Sequence, residues 1–291
     1  MAEHPGPVLV TGANSGIGLA SVLQFATRGW EVWGTVRSPA KARTLTAAAR
    51  KAGLKARIKP LVLDVSDHDA VVAAWPDLPD FYAVVNNAGY AEPGAVEEVS
   101  AVQARAQLDV NLIAPAVVSA CALPGMRRLG GGRIVMVSSA AGRAALMPLN
   151  AWYHASKFAL EALSDVLRVE VASFNVLVSL VEPGFVKTGI EAAARAKISA
   201  RKAQENSPYA AAYARSQSLL EMIERFAPPP DAVAETIVNA VESRQPQRRY
   251  LVGIDALAAV AVDTLLPRGL IDTVMRLAGG LTTLYPPSDT G

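Results

Sequence analysis

Tyr153 and Lys157 set the chemistry to look for. They stand four residues apart in Y-H-A-S-K, at the head of an amphipathic stretch, F-A-L-E-A-L-S-D-V-L-R-V-E-V. Positions i and i+4 share one face of a helix, so phenol and ammonium project together. A free tyrosine, with a pKa of about 10, is a poor acid-base catalyst at neutral pH. A cation beside it favours the phenolate and brings the group toward useful proton transfer. Ser139 follows the apolar run 134–137, where a strand should end, and its hydroxyl could hold a substrate oxygen beside the phenol. The same spacing also arises on solvated helices, so its meaning depends on the elements that carry it.

Those elements alternate. Apolar runs at 8–10, 31–36, 58–63, 83–85, 134–137, 176–181 and 250–252 read as strands. Helical patterns lie between them, at 17–28, 39–51, 67–75, 99–129, from Tyr153 onward and at 231–243. The stretch 99–129 contains Pro115 and Pro124, so it should be kinked or interrupted. Strands alternating with helices predict an α/β fold, a Rossmann-type doubly wound parallel sheet in a single domain. Ligands of such sheets bind beyond the carboxyl ends of the strands. Gly12, Asp64, Asn87, Ser139 and Gly184 all fall there. In T-G-A-N-S-G-I-G, Gly12, Gly16 and Gly18 sit between strand and helix, where missing side chains would let a pyrophosphate reach the backbone. The spacing is not G-x-G-x-x-G, and an ordinary tight turn would also account for it.

The 291 residues fit one large domain, and 51% hydrophobic content is ample for one core. A formal charge of +2 gives no bias toward nucleic acid. One cysteine, Cys121, rules out an internal disulfide framework and suits a reducing, cytoplasmic setting. His4, His68 and His154 are scattered, and no protein-built metal site is expected. The N-terminus lacks a signal-peptide pattern. The apolar stretch 251–266 is broken by Asp255 and Asp263, so it is no plain membrane span.

Five elements in order resemble the short-chain dehydrogenase/reductase family: T-G-A-N-S-G-I-G, L-D-V, N-N-A-G, S-S-A-A-G with Y-H-A-S-K, and P-G-F-V-K-T. The resemblance covers nearly all of residues 6–255. The three-residue gap between Gly12 and Gly16 is that of the single-domain dehydrogenases. Y-H-A-S-K-F-A-L-E-A-L, with L-V-E-P-G-F-V-K-T later, looks most like the hydroxysteroid and retinol dehydrogenase-like members.

The resemblance implies roles. Tyr153 would give or take the proton of the carbonyl or alcohol oxygen, and Lys157 would lower its pKa and bind the nicotinamide ribose. Ser139 would orient the substrate oxygen, and Asn111, in D-V-N-L, would hold a relay water. Ser139 is chosen over Ser138 because S-x-x-G ends at Gly142. The cofactor turn would comprise Gly12, Asn14, Ser15, Gly16, Ile17 and Gly18. Asp64 and Val65 would contact the adenine, and Asn87, Ala88 and Gly89 the ribose side. Pro183, Gly184, Val186 and Thr188 would bracket the nicotinamide. After the second strand, in W-G-T-V-R-S-P, Val36 stands where an NAD site commonly places an acid, and Arg37 follows. NADP(H) is therefore expected over NAD(H). Plainer roles stay open: Asp64 as a turn residue, Asn87 supporting its turn, Asn111 bridging helices, Arg37 as a solvated loop cation. His154 points about 100° away from Tyr153 around the helix and reads as structural.

Residues 1–255 should form the catalytic domain, with a substrate lid at about 185–230, and 256–291 a helical extension packed on it. Arg195, Lys197, Arg201 and Lys202 make the lid's first helix basic, a solvated face or an attractor for an anionic substrate group. Tyr209, Tyr213, Leu219, Leu220, Met222 and Phe226 could line a lipophilic pocket or bury the lid against the body. Two apolar stretches within 255–284 should be covered by the same chain or by a subunit contact, with membrane contact the minority reading. The expectation is an NADP(H)-dependent oxidoreductase for a lipophilic alcohol or carbonyl, acting as a homo-oligomer (dimer or tetramer). A dinucleotide-binding regulator or scaffold without turnover is the alternative.

Overall fold

The computed structural model describes residues 4–202 and 207–281. Seven strands, β1 Val8–Val10, β2 Val32–Val36, β3 Ile58–Val62, β4 Ala83–Asn86, β5 Gly132–Val137, β6 Val176–Pro183 and β7 Arg249–Val252, form one sheet. All neighbours are parallel, in the order β3-β2-β1-β4-β5-β6-β7. The chain builds outward from β1 to β3, then crosses over to β4. The crevice between β1 and β4 is therefore the topological switch point, where such sheets take their ligands.

Helices cover both faces. They are α1 Gly16–Thr27, α2 Pro39–Lys51, α3 His68–Ala74, α4 Ala101–Leu108, α5 Ala114–Arg128, α6 Ala151–Glu170, α7 Gly189–Lys202, α8 Ala210–Phe226, α9 Asp231–Glu242, α10 Ile254–Leu265 and α11 Arg268–Ala278. Successive strand residues point to opposite faces, and that alternation sorts the core. Val8, Val10, Val85 and Val181 pack with Phe25 of α1, Leu45 of α2 and Ile237 of α9. Leu9, Val84, Met136 and Leu180 pack with Val71 of α3, Val118 of α5 and Leu160 of α6. Because both faces are covered, the central strands read as unbroken apolar runs.

The long helical region is interrupted, as its prolines require. A π-helical turn, Asp109–Ile113, separates α4 from α5. Pro115 has no N–H to give the carbonyl of Asn111, so a regular α-helical ladder cannot run through this point. Pro124, by contrast, lies inside α5. Asp67 caps α3 by accepting the Ala70 N–H, and Ser100 with Gln103 forms a capping box on α4. By length and composition, the run Ala101–Arg128 could cross a membrane. Here Ala114, Val118, Ala122 and Met126 are buried in the core against the sheet.

The C-terminal helices correct an expectation. In α10 the buried residue is Ala256, and in α11 it is Ile271. Ile254, Leu257, Leu265, Leu270, Val274 and Leu277 are all at least 50% exposed. Among the described residues nothing covers these apolar side chains, so burial against the described part of the domain does not account for them. Residues 282–291 of the expected extension lie outside the described residues.

Candidate active site

Gly12 and Gly16 have φ of 68° and 52°, in the region that favours glycine. A Cβ on Gly18 would sit 2.3 Å from the Gly12 carbonyl oxygen. The turn is closed by Thr11, whose hydroxyl oxygen accepts the N–H groups of Asn87 and Ala88, each at 2.9 Å. Asn87 Nδ2 returns a bond to the Thr11 carbonyl at 2.8 Å. The ends of β1 and β4 are thus fastened together at the switch point, and Asn87 supports its turn while lining the cleft. The bare turn and the N-terminus of α1 suit a pyrophosphate, which needs close backbone approach and free amides. Sequence reasoning passed over Thr11, although its place before the glycine turn was the available signal.

Ten of the expected residues meet in one open cleft. Ile17, Asn87 and Gly89 form its β1–β4 side; Ser139, Tyr153 and Lys157 the α6 side; Pro183, Gly184, Val186 and Thr188 the β6 side. Val137, Ser138, Tyr90 and Ile190 join them and were not expected. The buried Lys157 Nζ donates to the Val137 carbonyl at 2.9 Å and lies 5.8 Å from the centre of the Tyr153 ring. Burial lowers its pKa to about 8, while the Glu161 carboxylate opposes the shift. Ser139 Oγ accepts the Ala141 N–H at 3.1 Å and donates to the Pro183 carbonyl at 3.4 Å, so β5 is tied to the end of β6.

Asn111 bridges, as its plainer reading held. Its Oδ1 accepts the Tyr90 N–H at 3.0 Å, and its Nδ2 donates to the Tyr90 carbonyl at 2.9 Å and to Ser156 Oγ at 3.0 Å. Ser156 in turn donates to the Tyr153 carbonyl at 2.7 Å, so the π turn positions the first turn of α6. Gly89 leaves room for this: a Cβ there would be 3.2 Å from Asn111 Oδ1. His154 is structural, its Nδ1 2.8 Å from the Ala141 carbonyl oxygen, with burial holding its pKa below the usual value.

Other expected residues lie off the cleft. Gly16 abuts Thr188, where a Cβ would come within 3.0 Å. Asn14 Nδ2 reaches Ser15 Oγ at 3.4 Å in the glycine turn. Val65 and Ala88 instead meet Thr11 and Asn86 at a separate crevice too tight to hold a water molecule. Asp64 forms a turn after β3, accepting the Ser66 N–H at 3.0 Å. Arg37 is exposed at the end of β2, and Ser38 caps α2. Asp255 was missed altogether. Its carboxylate accepts the Phe185 N–H at 2.6 Å and fills the space beside Gly184, where a Cβ would be 2.2 Å from it. Seventy residues separate the partners in sequence, and no local pattern links them.

The lid corrects one further reading and decides between two others. Lys197 and Arg201 are not left to await an anion: both pair with the buried Glu92, Arg201 at 3.3 Å from a buried side chain and Lys197 from one that still reaches solvent. Arg201 also donates to the Glu98 carbonyl at 2.6 Å, and Tyr213 donates to the Glu98 carboxylate. Tyr213 and Leu220 are buried with Leu149 and Ile198, Tyr209 packs against them, and none lines the cleft. Leu219, Met222 and Phe226 are exposed, Phe226 to 82%. Tyr209, Tyr213 and Leu220 thus bury the lid against the body, in a small core shared with Ala95 and Leu149. The side chain of Lys202 lies outside the described residues.

A phenol beside a buried ammonium, with a hydroxyl across an open cleft, can pass a proton to or from an oxygen held between them. The family model described as short chain dehydrogenase matches residues 7–199. The chain is 33% identical to a probable short-chain type dehydrogenase/reductase, VdlC, of Helicobacter pylori, over 92% of this chain and 96% of that protein. It is 33% identical to human retinol dehydrogenase 8, over 87% and 83%. An NADPH-dependent 3-dehydrocapnine reductase of Ornithobacterium rhinotracheale is 29% identical, over 91% and 94%. A short-chain dehydrogenase of Streptomyces avermitilis has the same fold, with a TM-score of 0.73, 28% identity and 94% of each chain covered.

Proposed function

The chain belongs to the short-chain dehydrogenase/reductase family and is an oxidoreductase of alcohols and carbonyls, and from that premise we propose that it uses NADP(H) on a lipophilic substrate with Tyr153 as acid and base. The observation that carries the reading is the meeting of Ser139, Tyr153 and Lys157 in one cleft beside the glycine turn. The nicotinamide cofactor supplies the hydride. Ser139 holds the substrate oxygen, Tyr153 moves its proton, and Lys157 places a positive charge by the phenol and holds the ribose. A scaffold without turnover would have no use for that complete set.

Support for NADP(H) comes from the end of β2. Val36 and Arg37 put no carboxylate there to repel a 2′-phosphate, and the exposed guanidinium is free to meet one. Hydrogen bonds to charged groups contribute about 1.5–3 kcal/mol, or roughly 10- to 100-fold. The relative named as NADPH-dependent agrees in direction. Support for a lipophilic substrate comes from Ile17, Val137, Val186, Ile190 and the Tyr90 ring in the cleft wall, and from the relative named retinol dehydrogenase 8.

The test compares kcat/KM for NADPH and NADH in the parent and in Arg37→Ala, along a homologous series of ketones. NADPH should be preferred about 10- to 100-fold in the parent, and the substitution should erase most of that. Efficiency should climb with chain length, each buried CH₂ adding about 0.8 kcal/mol. A parent that favours NADH, or a series that is flat, removes the corresponding half of the proposal.

A further inference from the structure

The catalytic helix carries a second buried ionisable group one turn beyond Lys157. Glu161 is 5% exposed; its Oε2 lies 3.1 Å from Arg249 Nε, and its Oε1 has no hydrogen-bond partner. Glu182 is fully buried on β6, immediately before Pro183 of the cleft. Val181 packs on the α9 side, so the alternation of the strand turns Glu182 toward α6. Its Oε1 lies 3.1 Å from the same Arg249 Nε, and its Oε2 is 3.3 Å from Arg143. Two carboxylates therefore bracket one guanidinium nitrogen in the interior.

The neighbouring charges are already committed. On α6, Asp165 accepts from Arg249 at 2.5 Å and from Arg168 at 2.7 Å, and Arg168 also donates to the Val178 carbonyl. His154 faces the Ala141 carbonyl, and Lys157 the Val137 carbonyl. On α10, Asp255 holds the Phe185 amide and Asp263 pairs with Arg268. Arg143, which approaches from the loop after Gly142, keeps its side chain 39% exposed. Asp165 is 43% exposed and also holds Arg168, so full ionisation would leave the two buried carboxylates, Glu161 and Glu182, on Arg249 with partly solvated help from Arg143. Like charges at close quarters in a dry site cannot all be held, so one carboxyl keeps its proton.

We propose that Glu161 and Glu182 form a proton-holding pair behind Lys157, with Glu161 the positioning residue for that ammonium and Glu182 the holder of the exchangeable proton. Burial, reinforced by Glu161, pushes Glu182 up to about 7. Glu161 in turn favours the charged form of Lys157 against burial. A charge that Glu182 gains on losing its proton has the same sign as that of Glu161, so it too would favour the cationic lysine. The pair thus extends the alkaline range in which Lys157 can serve Tyr153. That last consequence rests on the proposed function; the proton-holding itself does not.

Infrared difference spectra of the full chain across a pH series test the pair without any turnover. The parent should show a protonated-carboxyl band that fades as pH passes about 7, and Glu182→Gln should lack it. In Glu161→Gln the band should persist but fade about 1 pH unit lower, because its like-charged neighbour is gone. If Glu182→Gln keeps the band, or Glu161→Gln leaves its midpoint in place, the proposal is wrong. Should Glu182→Gln fail to fold, the Glu161→Gln midpoint decides alone. In an active preparation with NADPH and a ketone, the alkaline limb of kcat should also move to lower pH in Glu161→Gln. An unmoved limb alongside a moved band would break the link to Lys157 while leaving the pair intact.

Discussion

The two walls of the cleft are built by different means. On the β1–β4 side, position is set by backbone: glycines with positive φ, a carbonyl 2.3 Å from where a Cβ would go, and a threonine that gathers two amides. On the lid side, position is set by charge: Glu92 takes Lys197 and Arg201, and Glu98 takes Tyr213. The glycine turn acts within a few residues and leaves a motif, even though Thr11 reaches amides 76 and 77 residues away. A charge device joins residues about a hundred apart and leaves none, as with Arg201 and Glu92 at a separation of 109. Cofactor recognition should therefore be insensitive to changes in the lid, and lid stability insensitive to changes at the glycine turn.

Substitutions can break or sharpen that contrast. The largest effect belongs to neither wall: Tyr153→Phe should lower turnover by about 10²- to 10⁴-fold, with dinucleotide affinity retained in a fluorescence titration. Near-parent turnover would take Tyr153 out of the mechanism. Glu92→Gln leaves the buried Arg201 without its carboxylate. Removing one partner of a buried pair costs about 3–5 kcal/mol, and the lower figure applies because Lys197 reaches solvent. Thermal unfolding should register that loss while cofactor affinity in the folded protein stays near the parent's. A fall in both together would mean that the walls are not independent. Gly18→Ala should do the reverse, weakening cofactor binding sharply, with an overpacking cost of about 1–3 kcal/mol. Phe226→Ser, at a side chain 82% exposed, should change stability by no more than about 0.5 kcal/mol and leave ketone preference alone. A changed preference would return Phe226 to the substrate pocket.

The Lys157 pKa adds a pH signature. Activity that needs the ammonium should fall as pH rises through about 8. Its folded value lies below the usual 10.5, so across that window the unfolded chain binds the extra proton. This group's contribution to stability therefore rises with pH there. A turnover profile with no alkaline limb in that range would speak against a charged Lys157 in the reaction.

What was legible in the sequence follows the same division. The strands, their parallel order and the residues at their carboxyl ends could be read because each depends on local pattern: apolar runs, glycines, a proline that breaks a helical ladder. Asn111 was found by its motif, but its grip on Tyr90 and Ser156 depends on two elements brought together by the fold. The lid cations read as solvated because a basic helix gives no sign of an acid waiting 109 residues earlier. The C-terminal helices read as covered because apolar composition alone does not say whether a neighbour is present. Glu182 lay in plain view beside Pro183, yet only the approach of α6 and β7 makes its proton worth asking about.

The carboxylate of Asp255 on the Phe185 amide has a further consequence, in the order of synthesis. The direct hydrogen bonds described for Ser139 and Lys157, and for the Tyr153 carbonyl, draw on residues no later than 183. The turn that follows β6 cannot be finished until residue 255 has been made, because the group that accepts its amide and fills the space beside Gly184 has not yet been translated. A chain cut after Gly253 would keep all seven strands and the whole Tyr153 helix, and still meet its cofactor with one wall unlatched.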